Sequence, residues 1–437
     1  MSIHSNEARC TSCHVGYGWE DDSFDFTDMN NIDCLVCHDT TGEYEKIPTG
    51  AGMPDPDVDL VHVAENVGRT SRSTCGDCHF SGGGGDAVKH ADMSRELYYP
   101  DQSCDIHMGG YDFQCRECHK SRDHKISGRS SSVPAVELGP VSCMDCHTKD
   151  PHKKDQLLAH HLNEHCETLD CNTCHSPVYS KCASTKTLWD WSQAGDKDRE
   201  PEEDKYGNPL YSWNKGAFEF QESVKPVYRW FNGYTERVLL GDKVDLDSTI
   251  NITTPLGSFK DPESKIAPFK QMRGIQAADQ EHEYLLVPHL FPRGEDDDSA
   301  YWKHTDWQKS FAAGMEAVDL PYSGKYQWVQ TKMYWNLNHE VMPADMALSC
   351  TQCHESLTEE RTCDRCHQDG REQDFEEYRQ KGTDFEHMAA QGRDVEHLIG
   401  TTDYIDFKAL GYAGDPIIHG GRFQQLPLKL PVKEKEQ

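Results

Sequence analysis

The chain has no run of about 18 apolar residues, so neither a transmembrane helix nor membrane insertion is expected. Its first residues, Met1-Ser-Ile-His-Ser-Asn-Glu7, lack the basic start and apolar stretch of a secretory signal. Apolar residues are scarce: they make up 36 % of the 437 residues, and the mean hydropathy is −0.80. So polar a chain is poorly supplied for an ordinary apolar core, and bound cofactors are one other source of buried surface. Basic residues are also short, 44 against 75 acidic ones, for a net charge of −31. That balance argues against nucleic acid and anionic membrane as partners. An anionic substrate would need a local positive pocket set against this global field; the plainer reading is that the carboxylates keep the protein soluble.

What the chain has in excess is cysteine, 19 residues, and histidine, 24 residues. Eight Cys-x-x-Cys-His motifs account for most of the cysteines. They are Cys10, Cys13 and His14; Cys34, Cys37 and His38; Cys75, Cys78 and His79; and Cys115, Cys118 and His119. The others are Cys143, Cys146 and His147; Cys171, Cys174 and His175; Cys350, Cys353 and His354; and Cys363, Cys366 and His367. This is the attachment signature of c-type haem: two thioethers fix the porphyrin and the adjacent histidine reaches its iron. Paired Cys-x-x-Cys also builds tetrahedral zinc sites, but zinc does not require a histidine directly after each pair. Eight covalently bound haem c groups are therefore expected. Their attachment demands export, so a periplasmic or extracellular location is expected, with the natural N-terminus upstream of Met1.

Eight proximal histidines leave 16 others. A haem confined to electron transfer takes two strong protein ligands, whereas a catalytic haem keeps an open or displaceable position. The best distal candidates are His62, His90, His107, His124, His152, His160, His161, His165, His339, His387, His397 and His419. One segment stands apart, Cys75–His90, where a haem motif is followed by four glycines and then by Lys89 and His90. Lys89 is either a surface lysine on a glycine-rich loop or, if deprotonated in a buried electropositive site, an iron ligand. Cys104, Cys166 and Cys182 fall outside the motifs; Cys166 and Cys182 are candidates for a disulfide or for free thiols.

The motifs divide the chain into residues 1–182 with six, 183–349 with none, and 350–437 with two. The expected fold is mainly α with much irregular loop and few short strands, a multihaem cytochrome c arrangement organised around stacked haems. The middle region is rich in aromatic residues. Alternation within Ala217–Leu240 predicts strands, and helical spacing predicts two long helices over Tyr301–Val318 and Tyr326–His339. After His367, a charged helical stretch is expected over Arg371–Gln380 and an extended tail from Leu426.

Several segments resemble octahaem tetrathionate reductases: Arg9-Cys-Thr-Ser-Cys-His-Val-Gly-Tyr-Gly-Trp19, Asp33-Cys-Leu-Val-Cys-His-Asp-Thr-Thr-Gly42 and Cys78-His-Phe-Ser-Gly-Gly-Gly-Gly-Asp-Ala-Val-Lys-His90. Phe113-Gln-Cys115, Trp189-Asp-Trp-Ser192, Asn338-His339 and Ala409-Leu-Gly-Tyr-Ala-Gly-Asp-Pro416 are also similar. The likeness covers residues 2–354 and about 400–416. It implies a periplasmic multihaem enzyme that reduces tetrathionate, nitrite and hydroxylamine at a lysine-ligated haem, the other haems being bis-histidine. By resemblance the active haem is the one on Cys10 and Cys13, with His14 proximal and Lys89 distal. His90, His107, His124, His152 and His339 match family histidines; His160 and His165 compete for another position. The chain departs from the family in two ways. An upstream motif and a cysteine near the active haem are missing, and Cys363–His367 lies in an insertion, with His387, His397 or His419 as its distal ligand.

Two functions follow. One is a reductase of a small inorganic substrate, fed by a periplasmic or membrane-anchored electron-donor cytochrome. The other is a pure electron-transfer cytochrome in a respiratory conduit, without a substrate of its own. An oxidative enzyme like hydroxylamine oxidoreductase is less favoured, because no tyrosine can be assigned the haem cross-link those enzymes carry.

Overall fold

A spacing of three residues puts two side chains on the same face of a helical turn, so each motif asks for little more than one turn. A computed structural model describes residues 6, 14–21, 23–47, 50–82, 84–129, 138–153, 156–357 and 382–426. Within them the motifs sit on such turns. Leu35–His38, Arg72–His79, Cys115–Cys118, Cys171–His175 and Cys350–Cys353 are short α-helices, and Cys143–Asp145 is a 3-10 turn. Polar caps start them: Ser71 accepts from the Thr74 N–H, Asp170 from that of Asn172 and Ser349 from that of Gln352. The motifs centred on Cys10 and on Cys363 lie outside the described residues except for His14, as do Arg371–Gln380 and the tail beyond Leu426.

The middle region builds a seven-stranded sheet. Its longest strand, Lys265–Asp279, pairs antiparallel with Tyr326–Asn336, from Phe269 opposite Asn336 to Asp279 opposite Tyr326. On its other side Thr185–Asp190 runs parallel to it, and Val227–Phe231 pairs with its first residues. The strands expected within Ala217–Leu240 are present as Gly216–Gln221, Val227–Phe231 and Thr235–Arg237.

Two expectations are corrected. Of the two long helices, Tyr301–Val318 is broken into Tyr301–His304 and Trp307–Glu316 by Thr305 in a left-handed conformation. Tyr326–His339 is a strand over Tyr326–Asn336. The apolar residues there, Met333 apart, are aromatic or β-branched, which fit a pleated surface better than a helix, and Lys265–Asp279 supplies a full-length partner. The second correction concerns sulfur. Cys182 is bonded to Cys104, and Cys166 is a free thiol. Sequence distance gives no guide to such a pairing, which here spans 78 residues.

The sheet is tied to the haem-motif turns by hydrogen bonds. Ile266 accepts from the Asp170 N–H at 2.8 Å and from Thr173 Oγ1 at 2.7 Å, and the His175 carbonyl accepts from the Met342 N–H at 2.8 Å. Residues 382–426 return onto the same strands. Phe385, Met388, Leu398, Tyr404 and Leu410 pack with Tyr228, Trp230 and Ile266, and Trp230 Nε1 donates to the Leu410 carbonyl at 2.7 Å.

Alkylation of the denatured, unreduced, haem-loaded protein should therefore label Cys166 and leave Cys104 and Cys182 joined in one crosslinked peptide. Label on Cys182 with Cys166 protected would overturn the pairing.

Candidate haem centres and active site

An imidazole ligates iron through one nitrogen, and its other nitrogen, when fixed by a hydrogen bond, sets the tautomer and the ring orientation. Two imidazoles on opposite sides of one metal, each at a bond length of about 2 Å, place their ring centres about 6 Å apart. The structure contains a set of histidine pairs with that spacing. His38 faces His124 at 6.3 Å, His107 faces His147 at 6.2 Å, and His119 faces His339 at 6.2 Å. His152 faces His175 at 6.4 Å, and His165 faces His354 at 6.1 Å. Each pair joins one motif histidine to one from elsewhere in the chain.

The Nδ1 atoms of these rings are largely engaged. His38 Nδ1 meets the Gly68 carbonyl, His119 Nδ1 that of Ser127, and His165 Nδ1 that of His161, at 2.8, 2.8 and 2.7 Å. His354 Nδ1 lies 2.8 Å from Asp415 Oδ1, His152 Nδ1 3.0 Å from Asn163 Oδ1, and His339 Nδ1 3.3 Å from Asp92 Oδ2. With Nδ1 donating, Nε2 of each ring is left with the lone pair a metal requires. The residues present therefore fit haem. Buried polar atoms without partners, Asp92 Oδ1 and Trp335 Nε1, lie beside these rings; Trp335 is 4.9 Å from His90.

The motif turns also follow one another in space. The Cys75 and Cys115 sulfurs lie beside each other, as do those of Cys143 and Cys171. Burial first, then the neighbouring thiol, raises the Cys37 pKa beside Cys75, that of Cys118 beside Cys146 and that of Cys174 beside Cys350. The six motifs from Cys34 to His354 thus form an unbroken run in sequence order. His14 joins its start: the Val15 carbonyl accepts from the Asp33 N–H at 2.8 Å, and the Asn31 carbonyl from that of Tyr17 at 2.8 Å. Lys46 Nζ holds the His14 and Gly16 carbonyls, each at 3.3 Å, while paired with Asp33 at 2.9 Å.

Lys89 is half-buried at the end of the glycine-rich loop. Its backbone is clamped from the sheet. The fully buried Lys270 ammonium donates to the Val88 carbonyl at 2.7 Å, to the Lys89 carbonyl at 3.2 Å and to Thr185 Oγ1 at 2.6 Å. Burial pushes Lys270 well below the ordinary lysine pKa, against the pull of Asp92. His90, beside Lys89, is pushed down to about 4, chiefly by burial. The charge of His79 also acts on His90.

Other candidates sit differently. His160 and His161 are exposed beside Glu164, each 3.4 Å from one of its oxygens. His62 is exposed beside Asn66, and His387 lies 2.8 Å from Gln391 Nε2. His397 and His419 are exposed. The supporting residues Asp92, Asn163 and Asp415 were missed by sequence reasoning. Asp415 lies in the family-like Ala409–Pro416 segment and Asp92 two residues after His90, the only signals available for them.

Comparison with known proteins gives a consistent result. Residues 186–357 match a family model described as bacterial cytochrome c. The crystal structure of octahaem cytochrome c from Shewanella oneidensis is similar to this chain at 36 % identity, with a TM-score of 0.79. The match covers 98 % of this chain and 85 % of that one. A search of curated proteins gives no match.

Replacing Asp415 by Asn removes the negative charge behind His354 without emptying the site. The midpoint potential of one haem should rise, because a less basic imidazole favours ferric iron less, and loss of this support should cost roughly 10–100-fold in activity that depends on that centre. Potentiometric titration showing every haem unchanged would count against the role given to Asp415.

Proposed function

The chain belongs to the octahaem cytochrome c family, and from that membership we propose that it is a haem-dependent reductase of tetrathionate, nitrite or hydroxylamine. The family itself brings covalently bound haem c, the multihaem cytochrome fold and electron transport. The finer reading assigns one haem to each of the eight motifs. His14 and Lys89 would hold the active iron. The pairs His38–His124, His107–His147, His119–His339, His152–His175 and His165–His354 would hold the electron-transfer irons. His79 would take His90, and His367 would take His387 or His397. No helix among the described residues is long and apolar enough to cross a membrane; we place the protein in the periplasm, receiving electrons from a soluble or membrane-anchored cytochrome.

Haem c in these positions supplies redox-active iron and, where an axial position can exchange, a Lewis acid. The rest is done by the chain. The run of motif turns keeps successive centres adjacent, so electrons need no mobile carrier between them. Lys46 and Asp33 fix the backbone that carries His14. The observation that carries the reading is the Lys270 clamp on the Lys89 carbonyl. A lysine that merely faces solvent needs no buried ammonium to anchor its backbone. One that must present its amine at a fixed place does.

The unbroken run of motifs equally favours the second reading, a conduit without its own substrate. One set of measurements separates the two. The haem-loaded wild type should oxidise a reduced dye with at least one of tetrathionate, nitrite and hydroxylamine. Lys89→Ala should lose about a hundredfold or more of that activity, as removal of a metal-site group commonly does, and should convert one low-spin haem to high spin. Inactivity of the wild type with all three, together with uniformly low-spin haems indifferent to cyanide, would establish the conduit instead.

A further inference from the structure

Beside the Lys89 loop lies a second buried lysine that neither the haem ligation nor the loop clamp uses. Lys186, on the strand Thr185–Asp190, is 3 % exposed. Its ammonium sits 3.3 Å from the ring centre of Phe218 and 4.0 Å from that of Trp189, with Phe220 at 5.2 Å. Among the described residues no carboxylate forms an ion pair with Lys186 or with Lys270. Burial first, then the charge of Lys215, pushes the Lys186 pKa down to about 7. Aromatic faces attract a cation, but they do not replace the hydrogen-bond acceptors it loses on leaving water.

One wall of the cage, Trp189, touches the loop that carries Lys89. Trp189 underlies the glycine-rich loop: a Cβ on Gly84 would come within 2.9 Å of its Cζ3. A side chain there would strike the indole, and the Gly84 φ of +133° is itself one that side chains rarely adopt. The charge of Lys186 acts on Lys270. Two buried lysines thus stand beside the short segment that ends in Lys89, in a chain whose net charge is −31.

We propose that Lys186, backed by Lys270, is an anion subsite that draws an oxyanion substrate, such as tetrathionate or nitrite, to the Lys89 loop. The inference rests on the reductase reading for its catalytic meaning, but not for the binding itself. Hydroxylamine, neutral near pH 7, gains little from such a site. The subsite therefore sets the preference among the three substrates, and Lys186 is a specificity-determining residue.

Two measurements on the oxidised and the working haem-loaded protein test it. Calorimetric titration with tetrathionate needs no turnover; Lys186→Met should bind about tenfold or more weakly than wild type, and Lys186→Arg, which keeps the charge, should retain most of the affinity. In turnover, the ratio of kcat/KM for tetrathionate to that for hydroxylamine should fall by about tenfold in Lys186→Met, through KM for the anion. Unchanged tetrathionate binding in Lys186→Met overturns the inference whether or not the enzyme turns over. So does an equal loss for hydroxylamine, or a shifted haem potential with anion affinity intact, which would make a haem propionate the partner of Lys186. A wild type that binds tetrathionate through Lys186 yet reduces nothing would sink the reductase reading and leave the subsite standing.

Discussion

An iron held between two imidazoles would fix two pieces of chain to each other, and the described residues offer five histidine pairs spaced for it. The pairs join His38 to His124, His119 to His339 and His165 to His354, segments far apart in sequence. The entropy of closing a loop grows only slowly with its length, so such distant crosslinks cost little more than short ones. They also supply what the composition withholds. In a chain with 36 % hydrophobic residues, much of the first 182 residues is short turns and loops, and flat apolar porphyrins would add buried surface between them. Metal and cofactor binding then become part of the folding free energy, not an addition to a finished fold.

The sheet is the rigid partner to this cofactor-built part, and its period of two explains how one strand serves both. Along Lys265–Asp279, alternate residues face opposite sides. Ala267 and Phe269 pack with Tyr334 on one side, in an apolar cluster of the sheet itself. Ile266 and Lys270 point to the other: Ile266 packs in a cluster with Met342, Phe385 and Tyr404, and Lys270 clamps the Lys89 loop. Both faces are buried, and both Phe269 and Lys270 have no exposed surface. A buried lysine on a central strand is costly unless its ammonium is fully used. Here it meets three oxygens, and the loop it holds is glycine-rich and would otherwise have little to fix it.

The haem-attachment motifs stand out in the sequence because their chemistry demands fixed residue types at a fixed spacing. The local α-turns that carry them follow from the same spacing. Axial pairing is different, because it depends on which distant histidine the fold brings opposite. His160 and His165 stand on one helix and were indistinguishable by sequence; the fold turns His165 to His354 and leaves His160 beside Glu164. The same limit hid Cys104 as the partner of Cys182. The stretch Tyr326–Asn336 misled for another reason. Its apolar residues satisfy a helical period, but their branching and aromaticity suit a strand, and the decisive element, a fifteen-residue partner strand, lay some fifty residues upstream. Asp92, Asn163 and Asp415 escaped because a carboxylate or amide behind a histidine has no spacing rule at all.

Charge acts in this molecule on two length scales. The surplus of carboxylates makes a field that physiological salt screens within about 8 Å, so it governs solubility and the approach of large partners. The ammonium groups of Lys186 and Lys270 are out of water, where an interaction at contact is screened far less. A small anion crossing the acidic surface loses little by repulsion at ordinary ionic strength and meets strong attraction only after leaving water. A polyanion cannot make that exchange, since most of its charge stays outside under the acidic field. An acidic exterior and buried amines are therefore not in conflict. Under the anion subsite proposed above, the two would favour small oxyanions over polyanions, the sorting being done by the size of what can reach the buried amines.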